Sequence, residues 1–245
     1  MDLSGRVAIL TGGARIGQGV ARELARRGCS LALTWRESRG AAADTVAEAR
    51  ELGVAAESFK VDVRHETEIA TCVSDVVKQL GRLDILVNMA STYSHVPFAR
   101  LGAKSWAEAV DSNARSAFLF SIRAAPHMKK SGAGRIINFG DWIAASGRPR
   151  YAGYIPYYAA KSAVAGLTQA LALELAPEIL VNEVSPGPII PPKGLSREDH
   201  DKVIAATPLR RWGGAEEIAR AVVFLIETDF VTGECIRVDG GRHLY

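Results

Sequence analysis

The stretch Val7-Ala8-Ile9-Leu10-Thr11-Gly12-Gly13-Ala14-Arg15-Ile16-Gly17-Gln18-Gly19 decides the fold. A short, wholly apolar run passes through a cluster of glycines into a helical pattern, so the stretch reads as strand, tight turn, helix. Glycine, lacking a Cβ, lets the backbone approach a bulky anion closely. A helix opening at that point adds unpaired N–H groups and the positive end of its dipole. A glycine turn so placed is the sequence signature of a nucleotide pyrophosphate site.

Outward from this stretch the alternation repeats. Apolar runs at 7–10, 30–34, 58–61, 85–88, 135–139, 180–185 and 235–238 alternate with helical patterns at 18–27, 41–52, 67–80, 106–130, 157–175 and 216–227. Strand and helix in strict alternation predict parallel strands joined by right-handed crossovers. Runs that are apolar throughout predict a sheet covered on both faces. The expectation is an α/β chain with a single Rossmann domain over 1–245, its doubly wound, parallel, seven-stranded sheet flanked by helices on both faces. The proline-rich stretch 186–199 is the least regular, and 186–205 is expected to form a substrate loop.

Composition excludes several classes. Across 245 residues, 30 Lys and Arg against 27 Asp and Glu leave a net charge of only +3, dispersed along the chain, which gives no footprint for nucleic acid. Cys29, Cys72 and Cys235 are odd in number and far apart, which argues against a disulfide framework. No apolar run reaches membrane-spanning length, and a strand pattern at 6–10 leaves no room for a signal peptide, so a cytoplasmic protein is expected. His65, His95, His127 and His200 lack ligand spacing, so no metal is expected. Trp106, Trp142 and Trp212 are read as packing residues.

The second strand selects the nucleotide. It ends Leu33-Thr34-Trp35-Arg36, without the carboxylate that would receive a ribose 2′-hydroxyl. Arg36 can instead neutralise a 2′-phosphate, with Arg15 of the glycine turn approaching from the other side, so NADP(H) is the expected cofactor. Further along, Tyr157 and Lys161 lie four residues apart on one helical face. A phenol, with an ordinary pKa of about 10, becomes a usable acid when a neighbouring cation stabilises its anion, the role expected of Lys161.

These residues resemble the short-chain dehydrogenase/reductase family over almost the whole chain. The resemblance rests on Thr11-Gly12 with Ile16-Gly17, Asp62-Val63, Asn88-Met89-Ala90-Ser91, Asn113, Tyr157 with Lys161, and Pro186-Gly187. It implies Gly12, Ile16 and Gly17 at the phosphates and Asp62 and Val63 near adenine. It places Asn88 and Ala90 along the cofactor's ribose, and Pro186, Gly187 and Ile189 beside nicotinamide. Asn113 would position a water linking Lys161 to solvent. A homotetramer and a small-molecule substrate are also implied.

Three departures stand out. The glycine turn is one residue shorter than the family's, so Arg15 abuts Ile16. Asp141 occupies the place of the usual catalytic serine, and the segment from Asp141 to Tyr157 is longer than usual, which leaves Ser146 as the alternative. Asp141, the aromatic Tyr93 and the ending Asp239-Gly240-Gly241-Arg242-His243-Leu244 are similar to pteridine reductases. In that reading Tyr93 stacks on a flat heterocycle, Asp141 orients it or supplies a second proton, and His243 is a substrate-side residue. A 3-oxoacyl-thioester, ketone or quinone reductase is the alternative, and it would require a basic patch beside the site that does not stand out in the sequence. A non-catalytic nucleotide sensor is a third reading.

Overall fold

In strand β1 (Val7–Thr11) every residue is buried, and successive side chains leave in opposite directions. Ala8 and Leu10 join one hydrophobic cluster, while Val7 and Ile9 join another. This two-sided burial explains why the strand reads as a continuous apolar run. Each fully buried Leu or Ile contributes at most about 1.5–3 kcal/mol.

The computed structural model describes residues 1–244; Tyr245, the last residue of the expected domain, lies outside them. After β1 come β2 (Ser30–Trp35), β3 (Ala56–Lys60), β4 (Ile85–Asn88), β5 (Gly134–Phe139), β6 (Ile179–Pro186) and β7 (Cys235–Val238). They form a parallel seven-stranded sheet in the order β3-β2-β1-β4-β5-β6-β7. Helices α1 (Ile16–Arg26) and α2 (Arg39–Glu51) cover one face together with α9 (Ala215–Glu227). Helices α3 (Glu66–Leu80), α5 (Ser116–Lys130) and α7 (Ile155–Leu175) cover the other. Because the chain moves outward in opposite directions from β1 and β4, a crevice opens at their carboxyl ends, where such sheets bind ligands.

Several boundaries differ from the sequence reading. The expected strand at 58–61 is β3 at Ala56–Lys60, an edge strand whose alternating burial follows from its polar Glu57, Ser58 and Lys60. The expected helix at 106–130 begins earlier, as α4 (Ala103–Val110), and a π turn at Asp111–Arg115 separates it from α5. The 142–154 segment contains the short helix α6 (Trp142–Ser146), and the loop expected over 186–205 ends in α8 (Arg197–Ala205). The hydroxyl of Ser196 accepts from the N–H of Asp199 at 3.1 Å, an N-cap signal that the proline-rich reading overlooked.

Candidate active site

The carboxyl ends of the strands converge on a cleft of about 730 Å³. At its nucleotide end the Thr11 hydroxyl accepts from the N–H groups of Met89 and Ala90 at 2.9 and 3.0 Å, tying the tip of β1 to that of β4. Gly12, at φ +77°, packs so closely that a Cβ would lie 3.1 Å from Ala90 Cα. No side chain caps α1 and no acid occupies its first turn. Its N–H groups and positive dipole end are therefore open to an anion, and Ile16 and Gly17 line the cleft there. These features fit a dinucleotide.

Arg15 lines the cleft at this end, but its guanidinium is engaged by the protein itself. With one residue missing from the turn, Arg15 becomes the N-terminal flank of α1 at φ 55° and ψ −107°, a conformation costing on the order of 1–3 kcal/mol for a non-glycine residue. Its guanidinium crosses to the chain after β6 and donates to the carbonyls of Ile190 and Pro191 at 3.1 and 3.2 Å. Arg36 stands at the tip of β2, and its one ion pair among the described residues is with the exposed Glu37 at 2.8 Å. Such a surface pair is worth at most about 1 kcal/mol, which leaves the guanidinium available to a phosphate.

Asp62, Val63 and Ala90 line the cleft as expected. Arg64 grips the Asp62 carboxylate and holds it well below the usual carboxylate range. Asn88 does not reach toward a ribose: its Nδ2 donates to Asn138 Oδ1 at 2.9 Å within the sheet, because the residue is buried between β4 and β5. Pro186, Gly187 and Ile189 form the far wall.

At the other end of the cleft, Tyr157 on α7 donates its phenolic hydrogen to Asp141 Oδ2 at 2.9 Å. The second oxygen of Asp141 accepts from the N–H of Ile143 at 2.8 Å and caps α6. Burial pushes the Asp141 carboxyl above its ordinary value. Burial first, and the Asp141 charge next, push the Tyr157 phenol well above 10. This reverses the expectation that Lys161 lowers the phenol's pKa. Lys161 is buried, donates to the Phe139 carbonyl at 2.7 Å and lies 5.8 Å from the centre of the Tyr157 ring. Desolvation brings its ammonium down to about 8. The arrangement can hold a phenolic proton at the cleft and move it between Tyr157 and Asp141.

Ser146, the alternative to Asp141, donates to the Ile143 carbonyl at 2.8 Å within its own helix and does not line the cleft. Asn113 sits on the π turn with its side chain fully engaged: Oδ1 accepts from Ser91 at 2.6 Å and Nδ2 donates to the Ala109 carbonyl at 2.9 Å. Through these bonds it braces the loop after β4.

Behind Asp141 lies a carboxyl that the sequence did not bring to notice. Glu183 on β6 is 1% exposed, with Oε1 accepting from Ser185 at 2.5 Å and lying 3.2 Å from Cys235 Sγ. Oε2 has no partner. Burial pushes this carboxyl up. Gly140 makes room for it, since a Cβ there would overlap the carboxylate and lie 2.5 Å from Ser185 Oγ.

The aromatic wall also differs from expectation. Tyr93 stacks on Tyr154, with centroids 4.5 Å apart and planes at 13°, and meets Tyr157 edge-on at 4.7 Å. One face expected to receive a heterocycle is thus covered by Tyr154, a residue missed because nothing in its local sequence distinguishes it. Trp142 and Trp212, read as packing residues, both line the cleft, as does Arg242. His243 is instead held to Asp239 Oδ2 through Nδ1 at 2.7 Å.

Comparison with known proteins follows this geometry. A family model described as "Enoyl-(Acyl carrier protein) reductase" matches residues 13–243. The chain is similar to the 3-oxoacyl-[acyl-carrier-protein] reductase FabG of Staphylococcus aureus, 33% identical over 243 residues, covering 97% of this chain and 98% of that one. Among solved structures, a short-chain dehydrogenase/reductase from Serratia marcescens superposes with a TM-score of 0.92 at 32% identity, covering 99% of this chain and 100% of that one. A blue fluorescent protein from a metagenomic library, solved in complex with NADPH, gives a TM-score of 0.91 at 32% identity over 99% of each chain.

Proposed function

Because the chain belongs to the short-chain dehydrogenase/reductase family, a family of oxidoreductases, we propose that it is an NADPH-dependent reductase of a small carbonyl compound with Tyr157 as its acid. The observation that carries this reading is the hydrogen bond from Tyr157 to Asp141 beside buried Lys161, at the base of a cleft whose opposite end is built for a dinucleotide. Residues 1–245 act as one cofactor-binding domain with the substrate loop at about 186–205. Arg36 holds the 2′-phosphate, the turn from Gly12 to Gly17 the pyrophosphate, Asp62 and Val63 the adenine, and Ala90 and Lys161 the ribose on the nicotinamide side. Pro186, Gly187 and Ile189 flank the nicotinamide, which supplies a hydride when bound.

Tyr157 gives its proton to the oxygen that becomes anionic as the carbonyl is reduced. Asp141 then relays a proton to the phenolate: its raised carboxyl takes one up from water and passes it across the same hydrogen bond. Lys161 steadies the phenolate electrostatically while it lasts. Turnover of ketones, quinones and 3-oxoacyl thioesters is therefore expected with NADPH. Reduction of a C=N bond in a dihydropterin is the second reading, supported by Asp141 as a source of a second proton.

The test is an NADPH-oxidation assay with these four substrate classes in parallel, repeated on Tyr157→Phe. Turnover should be lost while NADPH binding stays near the unsubstituted value, and a Tyr157→Phe protein that turns over normally would sink the assignment. A dihydropterin signal without any ketone signal would select the second reading. The enzyme is taken to be cytoplasmic, where its three unpaired thiols stay reduced. It is taken to be a homotetramer, supported by apolar surface on Phe118 and Ile122 of α5, Leu173 of α7 and Phe224 of α9; sedimentation as a monomer would refute this.

A further inference from the structure

We propose that the substrate end of the cleft carries an anion subsite made by Arg150 and Arg242 around Trp142, so that the substrate bears a carboxylate or phosphate apart from the carbonyl that is reduced. This deepens the reductase reading and rests on it. Trp142 directly follows Asp141 and is 7% exposed, so its ring is a fixed plate beside the acid group. The guanidinium carbons of Arg150 and Arg242 lie 5.5 and 5.7 Å from the centre of that ring, within the range of cation–π attraction. Arg242 and Trp142 line the same cleft as Asp141 and Tyr157.

Among the described residues neither arginine has a carboxylate partner. Arg150 donates to the His243 carbonyl at 3.3 Å, and Arg242 makes one long contact of 3.5 Å to the Val203 carbonyl. Each guanidinium carries five N–H donors, so most remain unused. Arg22, Arg27, Arg50 and Arg64, by contrast, each hold a carboxylate. Among the described residues, the acids beside Arg242 and Trp142 in sequence are already committed, Asp239 to His243 and the Gly241 N–H, and Asp141 to Tyr157 and Ile143.

An oxyanion held by either guanidinium beside the ring would take up these unused donors. Planar, forked guanidinium groups are suited to carboxylate and phosphate. Such a pair, with Arg242 lining the cleft and Arg150 on the same ring, would serve as the basic patch required by the 3-oxoacyl reading. It is assembled from residues remote in sequence, which is why no local charge cluster revealed it.

The experiment uses matched pairs: acetoacetate and levulinate against their methyl esters, and acetoacetyl-phosphopantetheine against acetoacetyl-pantetheine. Calorimetric binding and NADPH oxidation are both followed for the unsubstituted protein, Arg150→Gln and Arg242→Gln. In at least one pair the anionic member should bind about tenfold or more tightly than the neutral one. In either variant that ratio should collapse to near unity. The carboxylate and phosphate pairs distinguish the two sources of charge. No preference for the anion, or a preference that survives both substitutions, overturns the subsite. Selective binding without NADPH oxidation in any pair would leave the subsite standing and remove the reductase reading. Equal turnover of charged and neutral partners in all three proteins would do the reverse.

Discussion

Replacing Asp141 by Asn isolates one interaction. An asparagine carbonyl still accepts from the Ile143 N–H, so the cap on α6 survives. The other terminal atom becomes an NH2 group, which cannot accept from the phenol that now donates to Oδ2 at 2.9 Å. A hydrogen bond to a charged acceptor is worth about 1.5–3 kcal/mol, equivalent to roughly 10- to 150-fold in the ionisation constant of Tyr157. The sign follows from the causes of the shift: burial and the Asp141 charge both disfavour phenolate, and the substitution removes only the second. Tyr157 should therefore ionise at lower pH in the variant. Reduction, which needs the phenolic proton, should lose its alkaline limb at lower pH, while the reverse oxidation, which needs phenolate, should rise at lower pH. At acidic pH, where Asp141 itself is protonated, the two proteins should converge. The assay is kcat/KM against pH in both directions, with thermal unfolding as a check on the cap. An alkaline limb that stays in place or moves upward would refute the claim that this hydrogen bond sets the acidity of Tyr157.

Three other outcomes are expected. Arg36→Asp should cut the preference for NADPH over NADH by about tenfold or more; an unchanged ratio of kcat/KM values would take Arg36 out of the 2′-phosphate site. Lys161→Met should lose turnover yet stabilise the ligand-free fold. The Lys161 ammonium titrates at about 8 in the folded chain against an ordinary 10.5, so its burial cost is fully present below pH 8 and is relieved as the pH rises toward 10.5. That separation corresponds to roughly 3 kcal/mol, less about 1 kcal/mol for the lost bond to Phe139, and urea unfolding at pH 7 measures the balance. Gly140→Ala should cost about 1–3 kcal/mol through overpacking, lowering Tm by roughly 2–4 °C per kcal/mol. Adding Glu183→Ala should recover part of that loss, whereas strictly additive effects would show that the two positions do not compete for the same space.

How much was legible depended on whether a signal was local. Strands such as β1 and β5 announce themselves because burial on both faces demands apolar residues at every position, whereas edge strand β3 carries polar residues on its open side and was displaced by two residues. Asp141 was readable because it lies two residues past the end of β5, and Tyr157 with Lys161 because they stand four residues apart on one helical face. The direction of Arg15 was not, since it depends on which carbonyls the chain after β6 presents across the cleft. Glu183 against Gly140, Tyr154 against Tyr93, and Arg150 with Arg242 around Trp142 are pairings made only by tertiary folding.

The two hydrogen bonds of Asp141 bear on which residues evolution can try at this position. Starting α6 requires a short side chain with an acceptor, a demand met by Ser, Thr, Asn and Asp and by few others. The serine usual in the family and the aspartate found here both belong to that small set, so one can replace the other without rebuilding the turn after β5. Architecture thus narrows the candidates to four before chemistry chooses among them. A lineage can exchange a hydroxyl for a carboxyl beside this phenol through asparagine, which keeps the cap at every step, changing how protons are handled while the backbone stays where it was.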